Sequence, residues 1–395
     1  AFTLVERLLT EPRILWSYLG SFVAPEMSTL GIFHDDYPTS TGLLTPPTTI
    51  LAIGALAACL GGAFWALSRG HVWTAFAVLW FLAGHSIEST FLPLDLYFEH
   101  RNYLPLVSPV IAMYVGLLRF RQQYRPLLAA GLCAFVLLCS VITFVNARTW
   151  GNPLVLSQVW AKENPASIRA QQLGARYAAM AFGSAEALTR IRDAIEHNPD
   201  NLGLRFQVLY FQCTLDQLER PAIAAAREHA ADAPYDTAAL KTLETLAKMA
   251  KKGKCPPMQP DDILELIDVL LENDAYANWP EPLQFLLIEK AQIYAHKRLL
   301  PPAMHTMDRA YEVRPLPSIA ISQARWLATA GRPKKALEFI EKARSTDRYS
   351  FRPEPPLPPA AVKLERILEK QIELESRSGP GKRPDSSPSP GAEPG

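Results

Sequence analysis

One stretch of this 395-residue chain gathers side chains that could do chemistry. It begins at His85 and ends at Pro105, and it sets Glu88, Glu99, His100, Arg101 and Asn102 between two apolar runs. A guanidinium fork matches phosphate oxygens in a way that a lysine ammonium does not. Arg101 is therefore the candidate for holding a phosphate, with His100 as an added donor, Asn102 beside it, and Glu99 placed to pair with the guanidinium. Ionisable groups at a membrane boundary cost free energy, which makes them functional candidates. The alternative is that Glu88, Glu99 and Arg101 pair with one another and anchor the interface. A second cluster, His34-Asp35-Asp36-Tyr37-Pro38, offers two carboxylates and an imidazole to a cation or to sugar hydroxyls. Adjacent residues alone rarely complete a metal shell, and the same residues also make a solvated turn that Pro38 ends.

The elements that must carry these residues are apolar. Runs at 49–67, 72–87, 103–118 and 127–145 contain no Asp, Glu, Lys or Arg, and His85 is a polar interruption in the second. A spanning helix needs about 20 apolar residues to cross a core about 30 Å thick, so four such runs in a hundred residues predict a polytopic membrane region over 1–147. Ile14–Pro25 is also apolar but too short to span alone, and reads as interfacial, re-entrant or the end of a longer helix. Arg69 and His71 follow the first run, and Arg119, Arg121 and Arg125 follow the third. Glu26, Asp35, Asp36, Glu88, Asp95 and Glu99 lie on the opposite side. Basic short loops face the cytoplasm, so everything after the fourth run is expected in a periplasm or equivalent lumen. The expected location is a bacterial inner membrane with the bilayer as first partner.

After residue 147 the pattern changes. No lysine precedes Lys162, whereas charged residues are frequent beyond it. Pro165, Pro199 and Pro234 recur at intervals of 34 and 35, the period of tetratricopeptide repeats. Within the first unit Leu173, Gly174 and Tyr177 fall where one helix should pack on its partner, with Ala187, Ile191 and Ala194 facing them. Ala291, Tyr294, Ala303, Met307 and Ala310 repeat the pattern, as do Ala324, Leu327, Gly331, Ala336, Ile340 and Ala343. Thr237–Glu281 is less regular, and Lys248, Lys251, Lys252 and Lys254 within it read as a solvated helix end. The expected fold is thus all-α: polytopic transmembrane helices, a tetratricopeptide-repeat α-solenoid over 148–375 whose last helix, Pro359–Glu375, caps it, and a disordered Pro/Ser/Gly tail over 376–395.

A net charge of +1 gives no support for nucleic-acid binding. The chain has no P-loop, GxSxG, HExxH or paired CxxC, and no cofactor or metal set is legible; a divalent cation stays unassigned. Cys59, Cys133 and Cys139 fall inside the apolar runs and read as inert small residues. Cys213 and Cys255 lie in the repeat region, on the side expected to be oxidising, and are predicted to form a disulfide.

Glu99-His-Arg101-Asn-Tyr103-Leu104-Pro105, with a membrane region before it and repeats after it, resembles the transmembrane-and-tetratricopeptide-repeat proteins. These are protein O-mannosyltransferases of the GT-C membrane fold. Leu9-Thr-Glu-Pro12-Arg-Ile-Leu, leading to His34-Asp35-Asp36-Tyr37, resembles the segment entering the later half of their membrane domain. The pattern departs at Leu106, where many members carry Ser. The resemblance implies transfer of a sugar from a polyprenyl-phosphate carrier to a protein or glycan acceptor on the extracytoplasmic face, with the repeats recruiting the acceptor. The family's catalytic carboxylate precedes this stretch, so the chain reads as the carboxy-terminal part of such an enzyme and no residue here inherits that role. A membrane-anchored repeat scaffold for envelope or pilus assembly, without catalysis, fits the same arrangement.

Overall fold

The computed structural model describes residues 3–25, 32–34, 37–87, 89–90, 96–119, 122–346 and 357–377. Their regular structure is helical, with no strand among them. The chain divides into two compact units, Ala1–Pro199 and Asp200–Gly395. The division falls beyond residue 147 because the helices that follow the last apolar run pack with the first unit.

That unit opens with α1 (Leu4–Val23), a full helix where the apolar pattern alone marks only its second half. Thr3 and Glu6 form a capping box, the Glu6 N–H donating to the Thr3 hydroxyl at 3.2 Å and the Thr3 N–H to the Glu6 carboxylate at 2.7 Å. Its buried face follows helical spacing: Arg7, Thr10, Glu11, Ile14, Leu15 and Tyr18. Next come α2 (Thr48–Ser68), α3 (Val72–His85), α4 (Val107–Arg119) and α5 (Arg125–Trp150).

Among the described residues, only α2, of 21 residues, and α5, of 26, are long and apolar enough to cross a membrane. The expected spans at 72–87 and 103–118 shrink to helices of 14 and 13 residues, each about 20 Å long. The cause is local. Pro105 cannot donate to a helix and disfavours helical backbone before it, so residues 99–102 form a 3₁₀ turn and α4 starts only at Val107. These two helices pack as a hairpin. Ser108 Oγ donates to the Ala77 carbonyl at 2.9 Å, and Gly84 sits so close to Pro105 that a Cβ there would lie 2.8 Å from its ring.

A break at Gly151-Asn152-Pro153 leads to α6 (Pro153–Glu163), α7 (Ile168–Phe182) and α8 (Ser184–His197). Ala187, Ile191 and Ala194 are buried where the repeat pattern places them. Gly174 packs α7 against α6 rather than α8: a Cβ at Gly174 would lie 3.0 Å from the Ala161 methyl.

The second unit repeats the helical hairpin. It contains α9 (Leu202–Thr214), α10 (Arg220–Ala230), α11 (Thr237–Lys251), α12 (Pro260–Glu272), the short α13 (Asp274–Ala277), α14 (Pro280–His296), α15 (Leu300–Val313), α16 (Pro317–Thr329), α17 (Pro333–Thr346) and the cap α18 (Pro359–Arg377). Ala291, Ala303, Met307, Ala310, Ala324, Leu327, Ala336, Ile340 and Ala343 are buried, as their spacing requires. Turns inside the pairs use a left-handed residue: Gly331 at φ 69°, but Asp216 at 54° and Arg298 at 60°, where no glycine marks the turn. The irregular 237–281 stretch proves to be a helix pair with a longer turn. Cys255 in that turn is bonded to Cys213 at the end of α9, with the Cα atoms 5.3 Å apart. Closing 42 residues of chain stabilises by roughly 4 kcal/mol through lost unfolded-state entropy. Polar joints tie neighbouring pairs. Arg220 makes two hydrogen bonds to Asp262 (2.9 and 3.2 Å), and the buried Asn273 amide donates to the Ala230 and Ala233 carbonyls at 2.9 Å. Lys248 pairs with Glu244, and Lys251 donates to Gln292, so the lysine run is a helix end partnered by its neighbours. The tail beyond 377 lies outside the described residues.

One buried carboxyl works against this core. Glu289 on α14 is only 4% exposed, and its Oε2 has no hydrogen-bond partner. Burial pushes its pKa above the ordinary 4.5, and Glu244 adds to the rise while Lys251 and Lys248 oppose it. Above the ordinary value the unfolded chain has released a proton that the folded chain still holds. Stability contributed by this group is therefore full below about 4.5 and falls as pH rises through the folded pKa. Glu289→Gln should flatten the decline in melting temperature as pH rises above about 4.5, leaving the two proteins alike below it. Parallel slopes would show that the carboxyl carries no such cost.

Candidate functional site

The site is built on Tyr18. Its ring is buried, and its hydroxyl closes a reciprocal pair with Phe98: the phenol donates to the Phe98 carbonyl at 2.9 Å and accepts from the Phe98 N–H at 2.8 Å. Phe98 is the residue from which the 3₁₀ turn Glu99–Asn102 springs. On the other side of the turn the buried Asn102 amide donates to the Tyr18 carbonyl at 3.4 Å and meets His85 Nε2 at 3.4 Å. The His85 ring, at the end of α3, stacks on Tyr18 with centroids 5.3 Å apart and planes 13° from parallel, and Phe81 covers its edge at 4.8 Å. Two helices, α1 and α3, thereby fix one four-residue turn.

Tyr97 extends the cluster. It packs on Tyr18 at 4.9 Å, on Tyr37 at 5.8 Å and, edge-on, on His34 at 4.3 Å. Beside His34, Phe33 meets Trp160 of α6 edge-to-face at 5.2 Å, so this loop joins the turn to the first helix after α5. Arg13 reaches the same loop, donating from Nη1 to the Pro38 carbonyl at 2.8 Å and to Ser40 Oγ at 3.2 Å. Ser40 is itself buried between Thr10 and Thr49, at 2.8 Å from each hydroxyl.

Of the residues whose chemistry marks them in the sequence, His100, Arg101 and Asn102 share the turn, and His34 joins them through Tyr97. Asn102 is buried and serves the scaffold. Arg101 is half-buried with its guanidinium 5.5 Å from the Phe98 ring centre, and His100 is exposed. Glu99 belongs to the turn, but its side chain lies outside the described residues, as do Asp35, Asp36 and Glu88. Among the described residues no three His, Cys, Asp or Glu side chains gather closely enough for a metal. Tyr103 is 80% exposed and stands apart from the network, while Trp80 Nε1 donates to the Leu104 carbonyl at 3.0 Å.

Sequence reasoning misses Tyr18, Tyr97 and the role of His85. A signal for Tyr18 exists: Thr3-x-x-Glu6 announces a helix start, and positions 7, 11, 14, 15 and 18 then share one face.

No family model matches the chain, and no curated protein matches it in sequence. Solved structures similar to it include the assembly chaperone of RpL4 (Acl4), residues 1–338, at 14% identity and TM-score 0.30, covering 63% of this chain and 97% of that one. Another is the P58(IPK) TPR domain at 13% identity and TM-score 0.27, covering 94% and 99%. Scores this low fall short of a superposable fold, so the repeat architecture rests on the helix pairs of the chain itself.

Removing the phenol oxygen tests the scaffold. Tyr18→Phe leaves the Phe98 N–H and carbonyl without their partner, which costs about 1–3 kcal/mol for part-buried groups and should lower the melting temperature in detergent. Tyr37→Phe, whose hydroxyl makes no hydrogen bond among the described residues, should leave it unchanged. Equal melting of both variants would mean the turn is held by packing alone.

Proposed function

We propose that this chain is the carboxy-terminal part of a membrane glycosyltransferase. It carries a sugar from a polyprenyl-phosphate carrier to an acceptor on the extracytoplasmic face, and its tetratricopeptide-like repeats recruit that acceptor. The observation that carries this reading is the joining, through Tyr18 and Tyr97, of the two sequence patches that resemble the family. One patch supplies α1 and His34; the other supplies His100 and Arg101. Side chains in a merely solvated turn have no need of a buried Tyr–His–Asn scaffold. A phosphate-binding turn does, because bidentate recognition depends on a guanidinium held in place before the ligand arrives.

The apolar helices support the membrane part of the reading. None of the side chains of α5 is buried, and Leu127, Leu137, Val141 and Phe144 are all more than half exposed. Burying each such side chain in lipid would recover about 1.5–3 kcal/mol, and of the two settings that suit a helix apolar all round, a protein core or a membrane, the exposure of α5 favours the second. The Cys213–Cys255 disulfide supports an oxidising compartment for the repeats. Within this mechanism Arg101 and His100 would neutralise the phosphate of the carrier as it leaves, and Glu99 would orient the guanidinium.

The scaffold reading is favoured by the repeats alone, since helical hairpin arrays commonly bind proteins. Arg101→Lys in the full-length protein separates the two. The lysine keeps the charge and loses the fork. Acceptor glycosylation should fall about tenfold at normal abundance, the loss of about 1.4 kcal/mol expected of one charged contact. Unchanged transfer, or a loss accounted for by lower abundance, would leave the scaffold as the better account.

A further inference from the structure

We infer that an open groove between α1 and α2, of about 450 Å³, holds the headgroup of an anionic phospholipid. The inference rests on the membrane reading of α2 and concerns a different place from the Arg101 turn. The groove is lined by Arg13, Trp16 and Ser17 from α1, by Tyr37, and by Thr48, Leu51, Ala52 and Ala55 from α2.

Its polar end is Arg13. Two hydrogen bonds from Nη1 to the Pro38 carbonyl and Ser40 Oγ fix the guanidinium, and the Tyr37 ring lies 5.2 Å from it. Among the described residues Nε and Nη2 make no hydrogen bond, and no carboxylate pairs with Arg13. A half-buried cation without a counter-charge there, pre-oriented and facing a cleft, is complementary to a phosphodiester, whose two free oxygens match the remaining fork. Arg7, one helical face away, shows the contrast: it is buried against Glu11 at 3.1 Å.

The other end of the groove is apolar and built for a chain. The Trp16 indole is pinned across the helix pair by donating to the Ala52 carbonyl at 3.1 Å. Leu51, 70% exposed, and Ala55, one turn on, form a low, exposed wall along α2. A free phosphate would use only the Arg13 end. An anionic lipid uses both, its headgroup at Arg13 and its first methylenes along Leu51 and Ala55. The Arg13 end of the groove lies beside Thr48, where α2 begins, so the guanidinium can meet a headgroup while its stem stays along apolar surface.

Native mass spectrometry of the full chain purified in detergent tests this, with phosphatidylglycerol and phosphatidylcholine of matched acyl chains as probes. Wild type should retain phosphatidylglycerol about tenfold more than phosphatidylcholine, and Arg13→Gln should reduce it to the phosphatidylcholine level, as expected for a lost charge-assisted pair. Because Arg13 also holds the 38–40 loop, Ala55→Trp serves as the second variant. It fills the groove from an exposed position without touching a hydrogen bond, and should displace the lipid while melting normally. Retention of phosphatidylglycerol by either well-folded variant at the wild-type level would overturn the inference. Full displacement by millimolar glycerol phosphate would also overturn it, by showing a free-anion site. If the chain leaves the membrane in buffer without detergent, the membrane reading itself fails, whatever the lipid result.

Discussion

The exposed surface of α5 governs how the rest of the molecule can exist. Twenty-six residues, almost all apolar between Arg125 and Arg148, form a helix with no buried side chain. In water that surface would stay hydrated at a cost of about 25 cal/mol per Å² and would drive aggregation long before it was offset by packing within the chain. On the membrane reading proposed above, a low-dielectric surrounding removes the cost. On that reading the break at Gly151-Asn152-Pro153 is the exit, and everything from α6 onward is built with chemistry suited to water. That chemistry is visible in the ion pairs, the Asn273 and Arg220 joints and the disulfide of the second unit.

At the turn between α3 and α4 the problem is polar rather than apolar. The turn after Phe98 is packed against α1 and α3, and carbonyl and N–H groups buried there are expensive unless paired. Tyr18 and Asn102 pair several of them, and His85 stacks on the result. This is why the turn can project an exposed His100 and a half-buried Arg101 without collapsing onto the helices. The same logic runs through the loop at 37–40, where Arg13, Thr10 and Thr49 take up the backbone and hydroxyl of Ser40. Both loops are attached to α1, which makes that helix the common support of the phosphate-binding candidates.

Much of this is legible in the sequence, for identifiable reasons. Small residues at fixed intervals, such as Ala187, Ile191 and Ala194 or Ala336, Ile340 and Ala343, are dictated by close helix packing, and every one of them is buried. Cys213 and Cys255 are the two cysteines outside the apolar runs, and they are bonded. The helices at 72–87 and 103–118 are shorter than their charge-free runs, because absence of charge says nothing about where a helix starts; Pro105 and the 3₁₀ turn decide that. The Tyr18 network is hidden for a different reason. Tyr18 lies 67 to 84 positions before its partners His85, Tyr97, Phe98 and Asn102, and no periodicity links residues that meet only when α1 packs on α3 and the turn. The left-handed Arg298 is likewise invisible, since arginine does not announce a turn, whereas Asp216 is of a type that tolerates this conformation.

If α5 carries the chain out of the cytoplasm, the repeats stand on the opposite side of the membrane from the Arg119–Arg125 loop, and the transferase reading depends on that placement. Paired reporter fusions after Asn201 measure it directly in living bacteria. An active alkaline phosphatase and a dark green fluorescent protein are expected at that junction. A bright fluorescent fusion with inactive phosphatase would place the repeats in the cytoplasm and contradict both the topology and the transferase reading built on it.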